Sequence, residues 1–320
     1  MNDARWMAAA LALAQRGRGR TAPNPNVGCV IVGDGRVVGR GWTQPGGRPH
    51  AEAMALKQAG EKSRGATVYV TLEPCAHRSE RGPACADLLI AAQPERVAIA
   101  LGDPDPRTNG AGAERLRAAG IQVMGGVAEA EARISMAGFL TRRAKGRPHV
   151  TLKLAVSLDG RIALASGESK WLTGPEARAH VHLERARHEA ILVGRGTWEA
   201  DAPTLDVRLP GLEKRSPRRL LLARVRGIQG WEAIASPADI ARLEKVDHLF
   251  IEGGAETAAS FLREGLVDRL LLYRAPVLIG AGKAALGDIG LGSLEEAHGR
   301  WRLTDARQLG SDRLEVYAAL

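Results

Sequence analysis

GRPHAEAMAL (47–56), followed by TLEPCAHRSERGPACADLL (71–89), holds a histidine, a glutamate two residues later and two cysteines, one of them directly after a proline. Two close thiols can form a disulfide, a redox pair or two legs of a metal site. His50 favours the third option, because His50, Cys75 and Cys85 as ligands leave a fourth position open for water. That is the arrangement of a catalytic zinc, whereas structural zinc usually takes four protein ligands. A helix is expected from about Ala51, with His50 and Glu52 at its N-terminal end, where unpaired N–H groups and the helix dipole favour anionic partners. ATVYVTL (66–72) reads as a strand, and a helix starts near Ala84. Cys85 then enters a helix N-terminus, where a thiol gives up its proton readily. Glu52 is too close to His50 to be an obvious second ligand, but it is well placed to handle protons beside a metal-bound water.

Outward from this stretch, helical and strand patterns alternate. An Ala/Leu helix near 4–16 precedes the apolar run VGCVIV (27–32), a GDGR hairpin turn (33–36) and VVGRGW (37–42). RVAIAL (96–101) and IQVM (121–124) read as strands; GAERLRAAG (112–120) and AEAEARISMAGFL (128–140) read as helices. The expectation is an α/β/α sandwich around a mixed sheet over 1–145. TRRAKGRPHV (141–150) reads as a linker to a second α/β domain, 146–320. There, strands HVTLKLAVS, AILVG, RRLLLA and HLFIEGG alternate with helices over 175–188 and 255–264, and a hairpin over 300–320 closes the chain.

Composition sets the function classes. The chain has 320 residues, 45% hydrophobic and 25% charged, which suits a globular protein of two domains. Three cysteines cannot build a disulfide framework and suit a reducing, cytoplasmic setting; Cys29, inside an apolar run, reads as a packed and inert thiol. The net charge of +9 invites a nucleic-acid partner, yet the 37 arginines are scattered and the aromatic content is 4%, too sparse for a base-stacking platform. A phosphorylated small molecule accounts for the charge as well. No apolar run is long enough to span a bilayer, so no membrane partner is expected.

Three segments of the second half look functional. SLDGRIALASGESKWLTG (157–174) and GRGTWEADAPTLDVR (194–208) read as loops after strands. IEGGAETAAS (251–260) runs from strand through a double glycine into a helix, presenting backbone N–H groups to a phosphate. LIGAGKAALG (278–287) reads as a loop rather than a dinucleotide fingerprint, since no βαβ unit follows. His180, His182 and His188 read as a solvated helix, not a metal cluster.

H-x-E with P-C is the signature of zinc-dependent nucleobase deaminases, although nine residues here separate Cys75 from Cys85 instead of two. TAPNPNVGCVIV, GRPHAEA, TLEPCAH, GPACADLL and GDPDP together resemble the deaminase domain of the bifunctional riboflavin-biosynthesis deaminase/reductase family. RPHVTLKLAV through TLDVR (147–208) and FIEGG through VLIG (250–280) resemble its reductase domain, in family order. The resemblance implies a cytidine-deaminase-like N-terminal domain and a dihydrofolate-reductase-like C-terminal one. It implies zinc on His50, Cys75 and Cys85, Glu52 as proton shuttle, and zinc-hydroxide deamination of 2,5-diamino-6-(ribosylamino)pyrimidin-4-one 5′-phosphate. NADPH then reduces the ribosyl to the ribityl group. Ala155, Trp171, Thr197, Asp201 and the run Gly254, Ala255, Glu256, Thr257, Ala258, Ala259 and Ser260 are implied to contact NADPH. Ser169, Arg185, Leu205, Arg208 and Glu252 are implied to hold the substrate, with Arg185 and Arg208 matched to its phosphate. Lys153 is placed near the ribosyl group or at the core edge, and Asn24 either orients the base or closes an Asx turn. His77 and Arg81 are the substrate candidates of the 76–84 loop, and the 209–246 stretch is shorter than is usual in the family. A homodimer or higher homo-oligomer through the C-terminal domain is also implied. The alternative is a nucleic-acid or free-base zinc deaminase with a non-catalytic, ligand-binding or dimerising C-terminal domain.

Overall fold

The computed structural model describes residues 3–77, 80–224 and 228–320, and the chain divides into two compact units, 1–145 and 146–320. Residues 78–79 of the 76–84 loop and 225–227 of the short 209–246 stretch lie outside the described residues.

The N-terminal unit runs α1 (Asp3–Ala14), β1 (Gly28–Gly33), β2 (Arg36–Trp42), α2 (Ala51–Ala59), β3 (Thr67–Val70), α3 (Cys85–Ala92), β4 (Arg96–Ile99), α4 (Ala111–Ala118), β5 (Gln122–Met124), α5 (Glu129–Ser135) and α6 (Ala137–Lys145). Its sheet has the order β2-β1-β3-β4-β5. β1 is antiparallel to β2 and β3, while β3, β4 and β5 are parallel, so the sheet is mixed. The β1–β2 hairpin turns at Asp34 (φ 50°) and Gly35 (φ 71°), the paired positive φ of a two-residue type I′ turn.

The seat of α2 positions the first site. A Cβ on Gly39 would lie 2.3 Å from the Ala55 carbonyl oxygen, and one on Gly41 would lie 2.1 Å from that of Ala51. Two bare positions on β2 thus let the helix backbone rest on the strand, against the small buried face Ala51, Ala55 and Ala59. Cys29 is fully buried, and burial pushes its thiol well above the usual range.

The C-terminal unit runs β6 (His149–Val156), β7 (Arg161–Ala163), α7 (Pro175–Arg185), β8 (Ala190–Gly194), α8 (Arg195–Asp201), β9 (Arg218–Leu222), β10 (Glu232–Ile234), β11 (His248–Ile251), α9 (Ala255–Arg263), β12 (Arg269–Arg274), β13 (Lys283–Ala284), β14 (Trp301–Leu309) and β15 (Asp312–Ala319). The main sheet has the order β10-β9-β8-β11-β6-β12-β15-β14; the first six are parallel, and β15 is antiparallel to β12 and β14. Every residue of β8 and β11 is buried, the continuous apolar pattern of central parallel strands.

Local expectations needed four corrections. The first part of the linker is helix, since α6 continues through Arg142 and Arg143 to Lys145. The first turns of the 194–208 loop form α8, which its two glycines disguise. Two- and three-residue strands (β7, β10 and β13) were too short to show a period. Finally, α7 ends at Arg185, and His188 is 1% exposed: it stacks on Phe250 at 4.9 Å and lies 3.1 Å from the Thr151 hydroxyl. The histidine run is therefore not a solvated helix face.

Candidate active sites

His50 is the extended N-cap residue of α2, and Glu52 lies in that helix's first turn, 3% exposed. Beyond β3 the chain turns through Glu73-Pro74-Cys75. Glu73 fixes the turn from both sides: its N–H donates to the Leu101 carbonyl at 2.8 Å, and its carboxylate accepts from Asp103 N–H (3.2 Å), Gly110 N–H (3.0 Å) and Ala113 N–H (3.1 Å). It thereby caps α4, whose own N-cap residue, Gly110, has no side chain to do so. Cys85 opens α3, and its N–H donates to the Cys75 sulfur at 3.3 Å.

These elements converge on one point. His50 Nδ1 lies 3.3 Å from Cys85 Sγ and 3.7 Å from Cys75 Sγ, and the three ligating atoms lie within 4.8 Å of one another. Three donors on a tetrahedral zinc at its usual bond lengths stand about 3.6–3.8 Å apart, a spacing that the two nitrogen–sulfur distances bracket. Hydrogen bonding from Cys85, then His50, lowers the Cys75 thiol, while the Cys85 thiol is raised by sharing its proton with Cys75. Burial raises the Glu52 carboxyl, partly offset by His50. Asn24 Nδ2 lies 3.2 Å from His50 Nε2, a contact that neither sequence reading of Asn24 foresaw. In the 76–84 loop, His77 Nδ1 is 3.5 Å from the Thr108 hydroxyl and Arg81 donates to the Gly46 carbonyl at 2.8 Å.

In the C-terminal unit the candidate residues gather at the C-terminal ends of β6, β8 and β11. β11 lies between β6 and β8, and the C-terminal ends of parallel strands are where ligands usually bind. Glu252, directly after β11, accepts both arms of the Arg185 guanidinium at 2.6 and 3.0 Å, with Lys153 Nζ at 3.9 Å. Burial lowers the Lys153 ammonium, with Glu252 opposing; Glu252 is itself held below the usual carboxylate range by Arg185 and Lys153 against the effect of its burial. Arg185 also donates to the Asp206 carbonyl at 2.9 Å, Arg208 Nε is 3.6 Å from the Asp206 carboxylate, and the Arg208 N–H reaches His182 Nδ1 at 3.3 Å. His182 thus joins the two arginines around one short turn. No local pattern signals this, because the histidine's partners lie in the 206–208 segment.

Thr197 Oγ1 accepts from Gly254 N–H at 3.1 Å, bringing α8 to the start of α9. The α9 N-cap, Gly254, offers no side-chain cap, and a Cβ there would come within 3.3 Å of Thr197 Oγ1. An uncapped helix start of this kind leaves first-turn N–H groups of the type that suit a phosphate. Lys170 pairs with Asp201 at 3.2 Å, and Ser169 and Trp171 line a pocket of about 160 Å³ with Ile162, Ala163 and Ile279. Ala258 and Ala259 are fully buried, and Leu205, 4% exposed, belongs to the apolar cluster of Ile191, Val193 and Phe250.

Residues 148–229 and 237–314 match the RibD C-terminal domain, and residues 1–101 match the cytidine and deoxycytidylate deaminase zinc-binding region. The riboflavin biosynthesis protein RibD of Escherichia coli K12 is 40% identical, covering 98% of both chains. The chain belongs to the RibD family. RibD of Aquifex aeolicus is also 40% identical, over 97% of this chain and 96% of its own. Among solved structures, Acinetobacter baumannii RibD superposes with a TM-score of 0.86 at 38% identity. The Thermotoga maritima deaminase/reductase superposes with a TM-score of 0.90 at 32%; each covers 99% of both chains. As a member of this family, the protein is a bifunctional riboflavin-biosynthesis enzyme: a cytidine-deaminase-like zinc domain followed by a dihydrofolate-reductase-like NADPH domain. No helix among the described residues is long and apolar enough to cross a membrane.

Proposed function

We propose that the N-terminal unit removes the 2-amino group of 2,5-diamino-6-(ribosylamino)pyrimidin-4-one 5′-phosphate, with His50, Cys75 and Cys85 as zinc ligands and Glu52 as the proton carrier. The observation that carries this reading is the convergence of one imidazole and two thiols beside a buried carboxylate. Zinc supplies Lewis acidity that makes water nucleophilic at neutral pH. Glu52, fixed in the first turn of α2, accepts the proton that water gives up and returns it to the amine as the C2–N bond breaks, so ammonia leaves and the ring gains oxygen. The Glu73 anchor holds the parts in register without belonging to the reaction.

In the C-terminal unit, NADPH would when bound supply the hydride that the anomeric carbon of the deaminated product needs, the ring oxygen taking a proton as the ring opens. Arg185 and Arg208, with His182, hold the substrate phosphate; Glu252 and Lys153 serve the ribosyl group, and Ser169 is a further substrate contact. Gly254, Ala255, Glu256 and Thr257 at the α9 N-terminus, with Thr197, hold the dinucleotide, and Ala155, Trp171 and Asp201 flank it. We further infer a cytoplasmic enzyme, supported by three free thiols, and a homodimer through the C-terminal sheet, supported by the largely exposed edge strand β14. Sedimentation at a single monomer mass overturns the dimer.

Product mass tests the whole reading. Incubating the zinc-loaded chain with the diamino substrate is expected to add about 1 Da without NADPH and about 2 Da more with it. No change without NADPH overturns the first assignment; no further gain with NADPH overturns the second.

A further inference from the structure

We propose that Asn24 is the positioning residue for His50, and that its amide oxygen takes the imidazole Nε2–H and fixes which ring nitrogen is offered to the metal. This rests on the reading of His50, Cys75 and Cys85 as the zinc site. The ring has two distinct ends: Nδ1 faces both thiols, at 3.3 and 3.7 Å, and Nε2 faces Asn24 at 3.2 Å. A neutral imidazole that gives the lone pair of one nitrogen to a cation carries its proton on the other, and that proton needs an acceptor to hold the ring in place. Nδ2 against Nε2 serves the opposite tautomer, in which Nδ1 keeps its proton and cannot ligate. A half-turn of the amide presents Oδ1 instead and requires no backbone movement.

The surroundings are built to keep the amide there. Asn24 N–H donates to the Thr21 carbonyl at 2.9 Å. Gly46 N–H donates to the Arg20 carbonyl at 2.9 Å, drawing the 45–47 turn onto the same segment. Gly47, buried and at φ 87°, lies flat on the amide: a Cβ there would stand 2.6 Å from Asn24 Cγ and Oδ1. The chain thus spends a left-handed glycine to bring its backbone against one asparagine side chain. An asparagine that only closed an Asx turn has no need of that contact or of the imidazole.

Zinc affinity by chelator competition, measured on the full-length protein, tests this without reference to turnover. Asn24→Ala is expected to bind zinc about 10–100-fold more weakly, while Asn24→Asp, which keeps an oxygen acceptor, stays within about threefold of wild type or binds more tightly. With cobalt in place of zinc, the ligand-field bands of Asn24→Ala shift and those of Asn24→Asp return towards wild type. An alanine variant with wild-type affinity, or an aspartate variant that loses as much as alanine, overturns the proposal. If the alanine variant does not fold, nitrogen-15 NMR of the zinc-loaded wild type still decides: His50 Nε2 is expected to carry the proton, and a protonated Nδ1 overturns the proposal. His50→Ala separates the two levels. Wild-type affinity in that variant sinks the zinc site itself, whereas its loss with Asn24→Ala unaffected sinks only the role of Asn24.

Discussion

Replacing Glu73 with alanine is expected to destabilise the N-terminal unit by about 3–5 kcal/mol, because three backbone N–H groups lose a charged acceptor together and each such bond contributes about 1.5 kcal/mol or more. The side chain is 4% exposed, so water cannot easily replace it at Asp103, Gly110 and Ala113. Against a typical total of about 5–15 kcal/mol, that is a large fraction. Glu73→Gln is expected to lose roughly half as much: one amide oxygen still serves the Asp103 and Gly110 pair, while the new NH₂ meets the Ala113 N–H. Two assays check this. Urea unfolding gives the free energy, and amide hydrogen exchange at Asp103, Gly110 and Ala113 shows whether those N–H groups are the ones released. Zinc retention should fall alongside, since Cys75 is two residues from the anchor. A loss below about 1 kcal/mol, with the three amides still protected, refutes the idea that this carboxylate holds the turn.

Gly41→Ala puts a methyl 2.1 Å from the Ala51 carbonyl, so α2 must lift; loss of zinc stoichiometry together with a lower unfolding temperature is expected. Asp103 is raised to about 6, mainly by burial. Its folded form therefore holds a proton more tightly than the unfolded chain, and its contribution to stability declines as pH rises from near 3.8 through about 6. Asp103→Asn keeps an oxygen for the Asp105 N–H and removes that decline, so urea midpoints of variant and wild type should diverge above this window in the variant's favour. Glu252→Gln leaves Arg185 and Lys153 as uncompensated buried cations; a loss of about 3–5 kcal/mol is expected, with weaker NADPH-dependent turnover, and unchanged urea unfolding would contradict it.

The parts of this molecule that short-range patterns govern were legible in the sequence. VGCVIV-GDGR-VVGRGW announced a hairpin because its turn needs two positive-φ residues, and AILVG and HLFI announced central strands because both faces are apolar. The H-A-E and P-C spacing marked the metal cluster, which the fold assembles from the start of α2, the turn after β3 and the start of α3. What escaped was what depends on distant partners. Glu73 drew no reading of its own, because its three donors lie 30 to 40 residues on. His182 looked solvated until the 206–208 turn was laid against it. Asn24 offered two readings, and its actual neighbour is 26 residues away.

The His50, Cys75 and Cys85 cluster has a further consequence for how the chain holds together. Its donors are 25 and 35 residues apart in sequence, on segments that only sheet pairing brings together. An ion bound there acts as a covalent-like staple across two nested chain loops. Closing a loop of that length in the unfolded state removes conformational freedom equivalent to about 4 kcal/mol, comparable to a disulfide in a secreted domain. A protein whose thiols stay reduced can draw this kind of reinforcement from a catalytic metal instead of a disulfide. Chelation should therefore lower the melting temperature of the N-terminal unit as well as silence its chemistry.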